Sequence, residues 1–177
     1  MINLESDLLK LRAPELSDID VLYKWENDQS LWEVSNTISP ISKLLLKEYI
    51  KKSHLDIYQV KQLRLMIDIK ENDGLCPVGC VDIFDFDPHN QKAGLGIIVD
   101  TNHRNKGIAS ETLILTIDYG FATLDLHQLY CNILENNEAS LHLFEQMGFE
   151  IIGLKKDWIK TKEGWLDEYL LQKIRGF

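Results

Sequence analysis

Between Leu63 and Val99 the chain carries strand-like apolar patterning in three consecutive runs, and this stretch constrains the fold more than any other feature. Leu63, Leu65, Ile67 and Ile69 alternate with Arg64, Met66 and Asp68, the pattern of a strand with a buried face. Glu71, Asn72, Asp73 and Gly74 read as a turn. Val78 to Phe86 reads as a second strand, with Val81, Ile83 and Phe84 apolar and Asp82 and Asp85 acidic. Asp87 to Asn90 turns the chain back, and Ala93 to Val99 forms a third strand. Three strands joined by short polar turns predict an antiparallel meander.

The flanks change period. Leu8 to Arg12 alternates weakly and stops at Ala13 and Pro14. Ser17 is predicted to cap a helix carrying Ile19, Leu22, Tyr23 and Glu26, with Asp20 completing a capping-box pattern. A second helix is predicted to start at Ser39 and Pro40, with Ile41, Leu44, Leu45 and Ile50 as its apolar stripe. Beyond the meander, Leu113, Ile117, Gly120, Phe121 and Leu124 share one helical face. Leu129 to Leu134 reads as a buried strand. Asn137 caps a last helix that Gly148 ends. Phe149 to Leu154 and Trp165 to Ile174 close the chain as strands. The expectation is one domain over residues 1–177, of the α/β (mixed α+β) class, with a mixed sheet and about four helices.

Composition narrows the partners. Lys and Arg number 19 against 28 Asp and Glu in 177 residues, a formal charge of −9. Such a surface repels phosphate backbones and anionic lipid, so no nucleic-acid and no membrane partner is expected. No run approaches the ~18 apolar residues of a membrane span, and no signal-peptide pattern opens the chain. Cys76, Cys80 and Cys131 make an odd number, which suits a reducing compartment, and a cytoplasmic protein is expected. Cys76 and Cys80 have metal-like spacing but no second pair, and His103, His127 and His142 lack ligand spacing, so no metal is expected. His54 lies near a helix end and His89 in a turn.

The chemistry concentrates where the third strand meets the long helix. Ile97, Ile98 and Val99 run into the polar loop Asp100 to Lys106, and Gly107 opens the helix. Free backbone N–H groups and the positive end of the macrodipole suit an anion there, and Arg104 and Lys106 add local positive charge. An ordinary helix start with solvated basic residues explains the same pattern. Gly94-Leu95-Gly96 lacks the third glycine of a dinucleotide fingerprint and lies within a strand. Lys106 precedes Gly107 rather than following it, so no phosphate-loop motif is present.

Arg104-Asn105-Lys106-Gly107-Ile108-Ala109 matches the Arg/Gln-x-x-Gly-x-Gly/Ala motif of the GNAT acetyltransferases, and the chain resembles that family. Asn136 to Ser140, Phe144 and Met147-Gly148-Phe149 resemble its second acetyl-CoA segment. Leu11 to Glu15 through Trp25 to Asn27 resemble the subgroup of ribosomal-protein N-terminal acetyltransferases, and Asp118 to Phe121 and Leu129-Tyr130 resemble that subgroup and the spermidine acetyltransferases too. The resemblance implies a mixed, mostly antiparallel sheet of about seven strands flanked by about four helices, splayed between the fourth and fifth strands. It also implies acetyl-CoA as co-substrate and a primary amine as acceptor. Backbone amides of Arg104, Asn105, Lys106, Gly107, Ile108, Ala109 and Ser110 would hold the pyrophosphate. Ile97, Ile98 and Val99 would pair with the pantetheine arm, and Asn132, Asn137, Ser140 and Phe144 would complete the cofactor site. Self-association is left open.

Two positions depart from the family pattern. Phe144 stands where many relatives carry a Tyr that protonates the departing thiolate, and Ser140, one turn earlier, is the substitute acid. Gly94 stands where many carry a Glu that deprotonates the amine, and Asp85 is preferred to Asp82 as the substitute base. Freeing a lysine-like amine at pH 7 costs about 4.6 kcal/mol, against about 1.4 for an α-amine. A site lacking both familiar groups therefore favours a protein or small-molecule α-amine. The acidic surface, Glu33 and Glu48 included, suits a polyamine instead. A non-catalytic acyl-CoA-binding module is the third reading.

Overall fold

The computed structural model describes residues 3–32, 37–52, 55–71 and 74–176. Strand β1 (Leu9–Arg12) is followed by α1 (Ile19–Glu26), α2 (Lys43–Lys51) and α3 (Ile57–Val60). The meander is β2 (Leu63–Glu71), β3 (Gly74–Asp87) and β4 (Lys92–Val99). Then come α4 (Ile108–Ala122), β5 (Gln128–Leu134), α5 (Glu138–Gln146), β6 (Glu150–Lys160) and β7 (Trp165–Ile174). The seven strands form one sheet in the order β1-β2-β3-β4-β5-β7-β6. All neighbours are antiparallel except β4 and β5.

That parallel pair is short. Lys92, Ala93 and Gly94 pair with Gln128, Leu129 and Tyr130. From Leu95 onward β4 pairs only with β3, and from Cys131 onward β5 pairs only with β7. The two strands therefore separate at Gly94 and Tyr130, the splay between fourth and fifth strands that the family resemblance implies.

Strand alternation sorts the side chains onto two faces. Leu65, Ile67, Val81, Ile83 and Leu95 face one way and are buried under α4 and α5, with Leu113, Ile117 and Phe144. Met66, Cys80 and Ile98 face the other way, under Leu22 and Trp25 of α1 and Leu46 and Ile50 of α2. Cys80 and Cys131 are buried, Cys76 is half-buried, and all three are free thiols.

The N-terminal helices correct the sequence reading. Ser17 does not cap α1; the Glu15 N–H donates to Asp18 Oδ2 at 2.7 Å instead. The cap of α2 is Ser42, whose Oγ accepts from the Leu45 N–H at 3.1 Å, rather than Ser39. With the start moved, Leu46 and Ile50 face the core while Leu44 and Leu45 are exposed. Five α-helices occur among the described residues, in keeping with the expected number of about four. The shortest is the single turn α3, where Asp56 Oδ1 accepts from the Gln59 N–H at 3.0 Å. Glu33, His54 and the turn residues Asn72 and Asp73 lie outside the described residues.

Candidate active site

Where β4 and β5 part, a cleft of about 1010 Å³ opens through the sheet. One wall is the edge of Ile97, Ile98 and Val99, which has no strand partner on the β5 side; the opposite wall is Cys131, Asn132 and Ile133 of β5. Arg104, Asn105, Gly107, Ile108, Ala109 and Ser110 close one end, and Asn137, Ser140 and Phe144 of α5 line it on the α4/α5 face. The structure thus brings together almost every cofactor residue read from the sequence. Lys106 is exposed and outside the lining.

The loop geometry explains the residue choice. Gly107 caps α4 at φ 76°, and Asn105 sits at φ 60°. No side chain caps the helix, so its first-turn N–H groups face the cleft end without an internal acceptor. A Cβ on Gly107 would meet nothing within 4 Å, which leaves open space directly over the backbone. Arg104 folds back, its Nε donating to the Val99 carbonyl at 3.1 Å. Asp100 anchors the start of the loop. Its carboxylate accepts from the Asn102 N–H at 3.0 Å, from Trp25 Nε1 at 3.1 Å and from Lys24 at 3.3 Å. These bonds, the backbone one foremost, hold its carboxyl down at about 2.

Asn137 does cap α5, its Oδ1 accepting from the Ser140 N–H at 3.2 Å. The Ser140 hydroxyl makes no hydrogen bond to any described residue and lines the cleft. Phe144 is buried, packed edge-on against Phe149 with centroids 5.1 Å apart.

On the α1/α2 face the cleft is charged. Arg64 of β2 lies opposite Asp82 of β3 in register and grips it twice, Nε to Oδ1 at 2.8 Å and Nη2 to Oδ2 at 2.7 Å. Its remaining Nη1 bonds Glu26 of α1. Burial opposes the Arg64 charge, but Asp82 and Glu26 outweigh it and raise its pKa. All three residues line the cleft. Across from them stand Lys155 of β6 and Glu168 of β7, paired in register, with Asn132 and Trp158 beside them. None of these pairings was legible from the sequence, since each joins residues far apart in the chain. The one faint signal was an Arg and an Asp at facing positions of adjacent strands.

Asp82 and Asp85 part company. Asp85 sits in an irregularity of β3 at φ 49°, where it accepts from the Tyr130 hydroxyl at 3.0 Å. Burial and that carboxylate push the Tyr130 phenol up to about 12. Neither Asp85 nor Tyr130 is among the residues lining the cleft. Phe84 is, with its ring centroid 5.9 Å from that of Tyr130. A Cβ on Gly94 would fall 2.3 Å from the Phe84 ring, so Phe84 fills the room that a Glu at position 94 would need. Glu48 pairs with Lys51 at 2.9 Å on α2, away from the lining. His89 and His127 are exposed, and His142 contacts Gln146 at 2.9 Å. Among the described residues no group of three or more His, Cys, Asp or Glu is arranged to hold a metal.

The sheet is split at one parallel pair, with a helix N-terminus at the end of the split. The profile of the GNAT acetyltransferase domain matches residues 9–150. The chain is 30% identical over 176 residues to an uncharacterized N-acetyltransferase, p20, of Bacillus licheniformis, covering 99% of this chain and 97% of that protein. It is 27% identical over 150 residues to the spermidine N(1)-acetyltransferase of Escherichia coli, covering 82% and 74%. The crystal structure of the Vibrio cholerae spermidine N-acetyltransferase, in complex with CoA and spermine, superposes with a TM-score of 0.84 at 22% identity, covering 96% of each chain. The chain belongs to the GNAT acetyltransferase family. It is an acetyl-CoA-dependent N-acetyltransferase. No helix among the described residues is long and apolar enough to cross a membrane.

Proposed function

We propose that the protein acetylates a primary amine of a small polycation, of the polyamine class, by direct attack within a ternary complex. The observation that carries this reading is the acidic wall on the α1/α2 face: Glu26 and Asp82 line the cleft, with side chains 15% and 17% exposed. Arg64 between them satisfies part of their hydrogen bonding and leaves the group one negative charge in excess. The relatives acting on spermidine lend weight to the same class.

The cofactor side fits its ligand. N–H groups of Gly107 to Ser110 face the end of the cleft, and the open space over Gly107 admits anionic oxygens close to the backbone. The β4 edge at Ile97 to Val99 has no strand partner on the β5 side and offers its backbone groups to an extended arm. Asn137 and Phe144 line the same space, while Asn132 lies on the opposite face beside Lys155. Acetyl-CoA, when bound, supplies the activated acetyl thioester.

Ser140 holds a proton at Oγ on the α5 side. Asp82, in the lining, is the carboxylate that binds the ammonium; Asp85 accepts from the Tyr130 hydroxyl outside the lining. The same lack of a Tyr at 144 and a Glu at 94 favours an α-amine as second reading, because that amine is easier to deprotonate.

The test is thiol release from acetyl-CoA with spermidine, spermine, simple monoamines and peptides with free α-amines. Release with the polyamines at the highest kcat/KM is expected. Release with peptides and not polyamines would overturn the acceptor assignment.

A further inference from the structure

We propose that Lys155 is a resident cation in a subsite for the second ammonium group of the acceptor, and that it lowers polyamine affinity by competing for that subsite. The inference rests on the polyamine reading above. Its starting point is the company that the Lys155 ammonium keeps. Nζ donates to Asn132 Oδ1 at 2.7 Å and to Glu168 Oε2, and lies 5.0 Å from the centroid of the Trp158 ring. A carboxylate, an amide oxygen and an aromatic face are the groups that recognise a primary ammonium ion.

All four residues line the cleft. Register places Asn132, Lys155 and Glu168 on the sheet face that also carries Asp82 and Phe84, the face assigned to the acceptor. The Glu168 side chain is only 14% exposed, so it needs a positive partner at all times. Lys155 supplies one when no acceptor is present. Its long stem lets the ammonium swing out, and an incoming ammonium replaces it cation for cation, so no carboxylate is left unpaired at any stage. A monoamine, bound by Asp82 alone, has no second group to make this exchange. Lys155 therefore acts on the choice between polyamine and monoamine rather than on the acetyl transfer.

The readout is the ratio of kcat/KM for spermidine to that for butylamine. Lys155→Met is expected to raise this ratio roughly fivefold, the scale of one partly exposed ion pair, through the spermidine KM with kcat held. Lys155→Arg keeps the cation and is expected to hold the wild-type ratio. Glu168→Gln removes the carboxylate and is expected to lower the ratio, and it gives an independent reading should Lys155→Met fail to fold. A ratio unmoved or lowered in Lys155→Met, or unmoved in Glu168→Gln, overturns the proposal while spermidine turnover by the wild type leaves the acceptor class standing. Absence of spermidine turnover by the wild type overturns both.

Discussion

Gly107 and Ser140 show how a single residue separates binding from folding. Gly107 adopts φ 76° with open space where a Cβ would go. A side chain there meets no protein atom, so its effects are backbone strain, about 1–2 kcal/mol for an ordinary L-residue, and obstruction of whatever ligand approaches the backbone. Gly107→Ala is expected to keep the fold, with Tm lowered by a few degrees, and to weaken CoA binding measured by calorimetry at least tenfold. Gly107→Val adds β-branching and is expected to abolish binding. Unchanged CoA affinity in both variants would remove the loop from the cofactor site. For Ser140, the α5 cap runs from its backbone N–H to Asn137 Oδ1, which Ser140→Ala leaves intact. That variant is expected to lower kcat about 10²-fold, the lower range for a lost proton donor, with Tm and CoA affinity near wild type. An unchanged kcat would exclude the hydroxyl as the acid. Gly94 marks the limit of reading a residue from its chain neighbours. The sequence shows a missing carboxylate, and only the fold shows that the Phe84 ring occupies its place.

Elements were legible where a period ran long enough to be counted. Alternation located β2, β3 and β4, and the spacing of Leu113, Ile117 and Leu124 located α4. The single turn α3 is shorter than any helical period, and a three-residue error in the start of α2 put the exposed Leu44 and Leu45 on the stripe with the buried Ile50 and missed Leu46. β6 extends to Lys160 through polar residues and a break in register between Lys155 and Ile159, so alternation stops early. What joins β1, β2 and the start of α1 is equally hidden: Arg12 bridges Asp18 at 2.7 Å and Asp68 at 2.5 Å. Both acids are buried, 3% and 2% exposed. Arg12→Leu strands two carboxylates and is expected to destabilise by about 3–5 kcal/mol, the scale for breaking a buried pair, read from urea denaturation. Burial alone would push the Asp18 carboxyl up, but the Arg12 and Glu15 N–H bonds outweigh it and hold it below its ordinary value. A carboxyl lowered by folding stabilises fully above its unfolded pKa, near about 4, and this contribution is lost as pH falls through the folded value. The wild type is therefore expected to lose stability as pH drops below about 4, more steeply than Arg12→Leu; parallel acid-denaturation curves would refute the linkage.

At the scale of the molecule the candidate site is an assembly of α1, β2 to β5, α4, α5, β6 and β7 around one split in the sheet. Its cofactor half is contiguous in the chain, residues 97–110, with a second patch from Asn137 to Phe144, and so a motif exposed it. The proposed acceptor half is drawn from Glu26, Arg64, Asp82, Lys155 and Glu168, which line the cleft and which no local pattern connects. The formal charge of −9 acts on both halves at long range, and the acidic acceptor wall concentrates it locally. A trivalent amine feels that field three times as strongly as a monovalent one, so screening should penalise it more. Raising ionic strength from about 0.1 to about 1 M contracts the screening length from about 10 to about 3 Å. Across that range the spermidine KM is expected to rise several-fold more than the butylamine KM, with kcat for each changing little. Equal salt slopes for the two amines would mean that the acceptor binds without engaging the carboxylates of the cleft, and the polyamine assignment would lose its physical basis.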